Sequence, residues 1–448
     1  LSDDNGRNSL LVRIRVRFLA KLIRVCMNTT EHVVVIGGGI IGAASAFNLV
    51  QDGHQVTILE PGQPGDTQAS SYGNAGWLSS HSVIPPASPG VWKQVPKWLA
   101  DPLGPLSIRW KYFPKALPWL VRYLASAWTY PQVKRTASAL RTLLANAPQL
   151  HQNMAEKAGL TEFIVRKGLL HAYLSRHEFE KDSEAWKIRQ LEGVEWQELD
   201  AQALHALEPD LDRRYTFGIY VPEAGNCTNP GAYTAGLIRY ACEHGAKLIH
   251  TQATGFDIEG GRLKAVMTDQ GRIACTKAVI AAGSRAKALA IIAGDQVSLE
   301  TERGYHAVVR DSKVGPRHST MFADMKVVTS SMQKGLRIAG QVEIADNDAT
   351  ANWKRAEIIK NHLLSIYPGL PRSLSPDNIE VWMGRRPSTP DGIPCIGLAS
   401  KSKDIIHAYG HGHIGLVGSA RTGRLVSQLV KGESPEIPLA PFSPQRFN

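Results

Sequence analysis

The chain has 448 residues, 43% apolar and 20% charged, a balance that excludes disordered, collagenous and coiled-coil chains and suits two or three globular domains. Its five cysteines form an odd set without a CxxC pair, which argues against a disulfide framework or a zinc ribbon and fits a reducing compartment. No run of 18 apolar residues occurs, so no membrane-spanning helix is expected, and the net charge of +11 is too dilute for a nucleic-acid footprint.

Residues 1–26 hold six basic residues against Asp3 and Asp4 and precede the first Met, Met27. Three readings stand for this segment: upstream or added sequence, a basic membrane-surface arm, or a targeting peptide. A secretory signal is rejected, because Val12 to Phe18 alternates apolar and basic residues instead of giving an apolar run. Residues 1–30 are therefore left out of the fold.

The strongest signal is 33–60. Val33–Ile36 is a β-branched buried strand, and Gly37-Gly-Gly39-Ile-Ile-Gly42 follows at once as G-x-G-x-x-G. A helix is expected over 43–52, stopped by Gly53, and then a second strand, Val56–Leu59, ending in Glu60. Gly37 permits the turn, Gly39 admits a pyrophosphate close to backbone, and Gly42 lets helix and strand pack. Unpaired N–H groups of the helix start, at Ile40 and Ile41, face the phosphates. Glu60 can accept from ribose hydroxyls and would repel a 2′-phosphate. This βαβ unit binds a dinucleotide, without separating NAD from FAD.

Between Val91 and Tyr130 lie nine aromatics and six basic residues against one acid, Asp101. Such a mixture suits a membrane interface, and equally core helices and loops over a substrate cleft; single-stranded nucleic acid, which uses similar ingredients, is not expected. Residues 131–158 read as a helix. Asn229-Pro230 opens a helix to about His244, as N-cap and first helical residue. Strands follow at 247–251, 263–267 and 278–283, and strand-like runs alternate with turns over 296–345. A second G-x-G-x-x-G, Gly410–Gly415, follows the strand Ile405–Tyr409 and opens a helix to about Val430. Its would-be ribose acid, Glu433, sits in Lys-Gly-Glu-Ser-Pro, so no second dinucleotide fold is expected; the turn instead offers its helix N-terminus to an anionic ring.

These elements give an α/β fold class: a Rossmann-like βαβ domain of glutathione-reductase type (31–90, 223–295, 388–436) interleaved with an α+β substrate domain on a mainly antiparallel sheet (91–222, 296–387). A cleft between the two is the expected ligand site. No metal site is expected.

Several motifs together resemble the flavin-dependent amine and amino acid oxidoreductases, which include D-amino acid oxidase, glycine oxidase and sarcosine oxidase, and most of all the bacterial D-amino acid dehydrogenases. They are Gly37–Gly42 with Glu60, Ser70–Gly76, Ala278–Gly283, Glu302–Tyr305, Trp382–Pro387 continuing to Asp391-Gly, and Gly410–Gly415. The resemblance spans Val33 to about Phe442. It implies FAD, contacted by Ser70, Ser71, Asn74, Ala75 and Gly76 at the pyrophosphate and flavin, and by the Thr254 backbone at adenine. Ala282, Gly283, Gly384, Gly412, His413, Ile414, Gly415 and Leu416 complete the expected cofactor contacts. Unlike sarcosine oxidases, the chain has no cysteine between Trp382 and Asp391, so FAD is expected to be non-covalent.

Arg386 matches the arginine that in such relatives pairs with the substrate carboxylate, a task for which guanidinium offers a planar fork. Arg385, its strand neighbour, is expected in solvent, and Tyr305 and His306 at the substrate. The glycine oxidase tyrosine falls near Val327–Val328 here, so substrate identity does not carry over. The implied activity is oxidative deamination of a D-amino acid substrate to a 2-oxo acid and ammonia, with hydride leaving Cα for flavin N5 and electrons passing to a quinone or another acceptor. The implied setting is cytoplasmic and peripheral on the inner face of the cell membrane through 91–130. Alternatives are cyclic or N-substituted amino acid substrates, or an FAD-holding subunit without turnover. Nothing in the sequence sets the oligomeric state.

Overall fold

The computed structural model describes residues 30–448 apart from Pro102, Pro105 and Ser373; the basic segment 1–26 lies outside the described residues. At the centre of the first layer is His32–Ile36, in a six-stranded sheet ordered Lys247–Ile249, Gln55–Leu59, His32–Ile36, Lys277–Ile280, Ile405–Tyr409, Cys395–Leu398. Its pairings are parallel except the last. Parallel strands are covered on both faces and so read as continuous apolar runs. Val33 and Val35 pack on one side, beneath the helices Ile40–Gln51, Pro230–Glu243 and Gly415–Val430. Val34 and Ile36 pack on the other, against the antiparallel strands Ala253–Glu259 and Arg262–Thr268 and the helix Ala286–Ile292. Asn229 caps its helix as expected, its side chain accepting from the Ala232 N–H at 3.1 Å. No strand follows Gly415–Val430 among the described residues, so the second glycine motif joins the first sheet instead of founding its own.

The second layer is a nine-stranded, mainly antiparallel sheet. Its order is Ile379–Ser388, Glu300–Val309, Gly335–Ile344, Val327–Met332, Thr320–Phe322, Leu169–Tyr173, Phe217–Val221, Gln197–Leu199, with Leu106–Ile108 beside Gly335–Ile344. Side chains alternate between its faces. Tyr305, Ala307 and Val309 turn to one, packing with Ile359, Leu363 and Ile366 of the helix Lys354–Ile366. Glu302, Gly304 and His306 therefore share the opposite face, and Arg386, paired with Glu302, stands with them.

The expected single helix over 131–158 is two, Tyr130–Leu144 and Ala147–Ala158. Asn146 between them is left-handed (φ 57°), and Pro148, which has no N–H to continue a ladder, starts the second. Both helices pack near Gly415–Val430. The 91–130 segment divides: Trp98, Trp119 and Tyr123 are core, whereas Trp92, Trp110, Trp128, Leu117 and Val121 are exposed.

Candidate active site

Between the two sheets lies a cleft of about 1580 Å³. Gly37, at φ 112°, makes the turn that a side chain would block, since a Cβ there would lie 2.5 Å from the Ala281 carbonyl oxygen. Gly42 lies off the cleft wall; a Cβ on it would meet the Gly37 oxygen at 1.8 Å, which is helix against turn. Gly39 caps the helix with no side chain and no acid stands in the first turn. The N–H groups around Gly39, Ile40 and Ile41, all on the cleft wall, are left for an anion. At the adjoining strand end Glu60 lines the cleft, its carboxylate accepting from the Gly38 N–H at 2.8 Å and the Gly62 N–H at 3.0 Å. Thr254, Ala282 and Gly283 line the same end.

The loop after it is fastened to the antiparallel sheet. The Ser70 hydroxyl donates to the Arg385 carbonyl, and the Ser330 hydroxyl to the Ala75 carbonyl at 2.8 Å. Arg337 donates to the Asn74 carbonyl at 2.6 Å, and the Asn74 side chain accepts from the Gly76 N–H at 2.8 Å. Burial pulls the Arg337 guanidinium down to about 10, still cationic at neutral pH. Ser70, Ser71, Asn74 and Ala75 face the cleft, while Gly76 lies behind it, packed on the Cys227 carbonyl. From the far side Gly412, His413, Gly415 and Leu416 reach the cleft, and Ile414 turns into the core. The walls around His413, with the charge of Arg386 adding, push its imidazole down to about 4, so it is neutral at pH 7. A cleft this long, with an uncapped helix N-terminus along it and a carboxylate at a strand end, fits a dinucleotide such as FAD. No lining residue is a cysteine, and no metal-binding cluster occurs among the described residues.

Elsewhere on the cleft wall the Arg386 guanidinium lies across Gly304, where a Cβ would come within 2.1 Å of Nη2. Its Nη1 donates to the Gln341 carbonyl at 3.1 Å. Gln341 is one of four described non-glycine residues with positive φ (58°), at a register shift between the Glu300–Val309 and Gly335–Ile344 strands. The bulge aims its carbonyl at the arginine. Burial lowers the Arg386 pKa while buried Glu302 opposes that shift, yet no carboxylate reaches ion-pair distance of Arg386 among the described residues.

Three expectations need correcting. Tyr305 lines the cleft, but its hydroxyl is engaged elsewhere, donating to Glu343 at 2.7 Å and accepting from the Asn352 N–H at 3.0 Å. Glu343 also takes Arg109 at 2.8 Å and Arg303 at 3.2 Å, a buried charge cluster on the helix-covered face. His306 is fully buried and supports the Ser70–Gly76 loop instead, with Nδ1 3.2 Å from the Gly73 carbonyl and its ring stacked on Trp382. Arg385 is not free in solvent; Nε donates to the Asn347 carbonyl at 2.7 Å and the residue lines the cleft. Gly384 lines the cleft against the Trp382 indole.

Sequence reading missed Gly304, Gln341 and Glu302. Strand alternation could have found Glu302 and Gly304, since both share a face with Arg386. It also missed His81 and His171, whose Nε2 atoms lie 2.9 Å apart on the cleft wall. Ninety residues separate them, and no local pattern announces the pair.

The profile of the family described as "FAD dependent oxidoreductase" matches residues 32–429. The chain is 56% identical over 417 residues to a protein named D-amino-acid oxidase from Bradyrhizobium diazoefficiens, covering 93% of this chain and 99% of that one. It is 30% identical over 424 residues to a D-amino acid dehydrogenase from Paramagnetospirillum magneticum, covering 93% and 98%. Among solved structures, glycine oxidase from Geobacillus kaustophilus superposes with a TM-score of 0.71 at 23% identity, covering 93% and 99%, a likeness of fold.

Proposed function

The chain belongs to the FAD-dependent oxidoreductases, and from that premise we propose that it oxidises the Cα–N bond of D-amino acids, giving the 2-oxo acid and ammonia through the imino acid. When bound, FAD supplies the two-electron acceptor for the hydrogen on Cα. The chain itself supplies binding and orientation. Arg386 carries the reading: a cleft-lining guanidinium, held by one carbonyl and without an ion-pair partner among the described residues, is poised for a carboxylate. Gly304 leaves room for it and the Gln341 carbonyl fixes its plane. Neutral His413 and cationic Arg386 favour the substrate amine in its uncharged form, which leaves the nitrogen lone pair free as Cα loses hydrogen. No further base is required of the protein. For the D configuration the support is the names of the relatives.

The test is anaerobic bleaching of the holoenzyme by D- and L-amino acids, together with Arg386→Ala. Leaving a carboxylate without its partner costs roughly 3–5 kcal/mol, so the variant should lose that much in kcat/KM while retaining FAD. Unchanged kcat/KM for its best D-amino acid would remove Arg386 from the site.

For the electron acceptor we infer a membrane quinone. The support is the exposed tryptophans Trp92, Trp110 and Trp128 in the same segment as Lys93, Lys97, Lys111, Lys115 and Arg122, a composition suited to anionic headgroups. No helix of the described residues is long and apolar enough to cross a membrane.

A further inference from the structure

The cleft continues past Arg386 along one row of the nine-stranded sheet. Trp382, His306, Ala339, Val328, Met321 and His171 are successive register partners across six strands and therefore share a face. It is the face that carries Arg386. Val328, Met321 and His171 line the cleft, so a substrate held at Arg386 has its free end directed over them.

At the end of that row donors and cations gather. The short His81–His171 contact needs one ring to donate and the other to accept. His81 Nδ1 is buried without a partner, and an unpaired lone pair is tolerated there better than an unpaired N–H. His81 therefore donates through Nε2, and the Nδ1–H of His171 is left as a donor without a protein partner among the described residues. Trp77, edge-on to His171 at 5.4 Å, has a buried Nε1–H with no partner either. Arg189 spends one nitrogen on the His81 carbonyl at 3.1 Å and stacks over Trp186 at 4.4 Å. Its other nitrogens and the Lys326 ammonium meet no carboxylate among the described residues, and both residues line the cleft. Burial, with Arg189 and Lys326 adding, holds His171 far below its ordinary pKa, so the histidine pair is neutral. Two cations, two unpaired N–H groups and, among the described residues, no carboxylate constitute a site for an anion.

We propose that this cluster is a second carboxylate site and that the substrate is a D-amino acid with an acid on its side chain. The inference rests on the D-amino acid reading above. Four strand spacings, about 19 Å between backbones, separate Gly304 beneath the Arg386 guanidinium from the strand of His171, and three, about 14 Å, separate that strand from the one of Gln341, to which the guanidinium donates. The Lys326 and Arg189 side chains, both on the cleft wall, reach into that span from the His171 end, towards the free end of a substrate held at Arg386.

Two measurements on the holoenzyme test this. In turnover, D-glutamate should exceed isosteric D-glutamine in kcat/KM by at least tenfold. Lys326→Gln and Arg189→Gln should each cut that ratio at least fivefold, mainly through KM. Lys326 is exposed, so its variant folds even where Arg189→Gln does not. In binding, followed by the visible flavin spectrum, glutarate should bind at least tenfold tighter than butyrate, and Lys326→Gln should narrow the gap. D-Alanine turnover with D-glutamate no better than D-glutamine, or glutarate no tighter than butyrate, overturns the second site and leaves the D-amino acid reading standing. Tight glutarate binding without bleaching by any D-amino acid supports the second site and sinks the reading on which its substrate rests.

Discussion

Replacing Gly304 by Ala tests the site geometry with one methyl group. The added Cβ would lie 2.1 Å from Arg386 Nη2 and 2.4 Å from Cζ, whereas ordinary contact is about 3.4 Å. The guanidinium is the far end of a flexible side chain, so it yields and the backbone does not. It must move by about 1.3 Å, and that displacement also breaks its 3.1 Å bond to the Gln341 carbonyl. Stability should not fall, because alanine in place of glycine within a strand is favourable by roughly 0.5–1 kcal/mol. Misplacing an orienting group by about 1 Å costs on the order of 100-fold in rate, about 2.7 kcal/mol of barrier. Gly304→Ala should therefore lower kcat/KM for the best D-amino acid about 100-fold, measured as anaerobic flavin reduction by stopped flow. Flavin content should be that of the wild type and Tm equal or higher. A variant with full flavin content and unchanged kcat/KM would refute the reasoning, since the guanidinium would then not be what aims the substrate.

Glu60→Ala should weaken FAD binding by roughly 1.5–3 kcal/mol, the range for a charge-assisted hydrogen bond; equal flavin affinity by titration of the apoprotein would place the ribose elsewhere. His151 is fully buried between the Tyr233 hydroxyl at 3.1 Å and the Leu416 carbonyl at 2.9 Å, and burial lowers its pKa to about 4. The unfolded chain takes up that proton near pH 6.5, so this contribution is whole above pH 6.5 and is lost as pH falls towards 4, about 3 kcal/mol in all. His151→Gln should flatten the fall of Tm between pH 6.5 and 4, and an unaltered slope would count against the assignment. If the exposed tryptophans and lysines meet lipid, the protein should sediment with anionic vesicles at low salt, less so after Lys111→Glu with Lys115→Glu, at about 1 kcal/mol per charge. Equal sedimentation with and without vesicles would return the segment to an ordinary surface.

The βαβ unit was legible because its determinants are local. A turn that only Gly37 can make, a helix start without a side-chain cap and an acid at the next strand end are fixed by a few consecutive residues. Asn229 with Pro230 and the strand of Arg386 could be read for the same reason. The break at Asn146 was missed because a helical pattern of apolar residues persists across it. His306 was misread because the Gly73 carbonyl and the Trp382 ring take it up on the face of Arg386, and Tyr305 because a one-residue step along a strand exchanges its two faces, and which face meets the cleft is set by what covers the other. That cover is the helix Lys354–Ile366, some fifty residues downstream. The carbonyl that orients Arg386 depends on a bulge between two strands, and His81, in the loop after Trp77–Leu78, meets His171 on a strand of a different sheet. Sequence by itself determined the cofactor-binding unit, the family resemblance and the arginine. The tertiary structure alone decided which side chains stand around the arginine and what lies at the far end of its cleft, because partners across a sheet are chosen by packing and register, forces that act between residues the chain holds far apart.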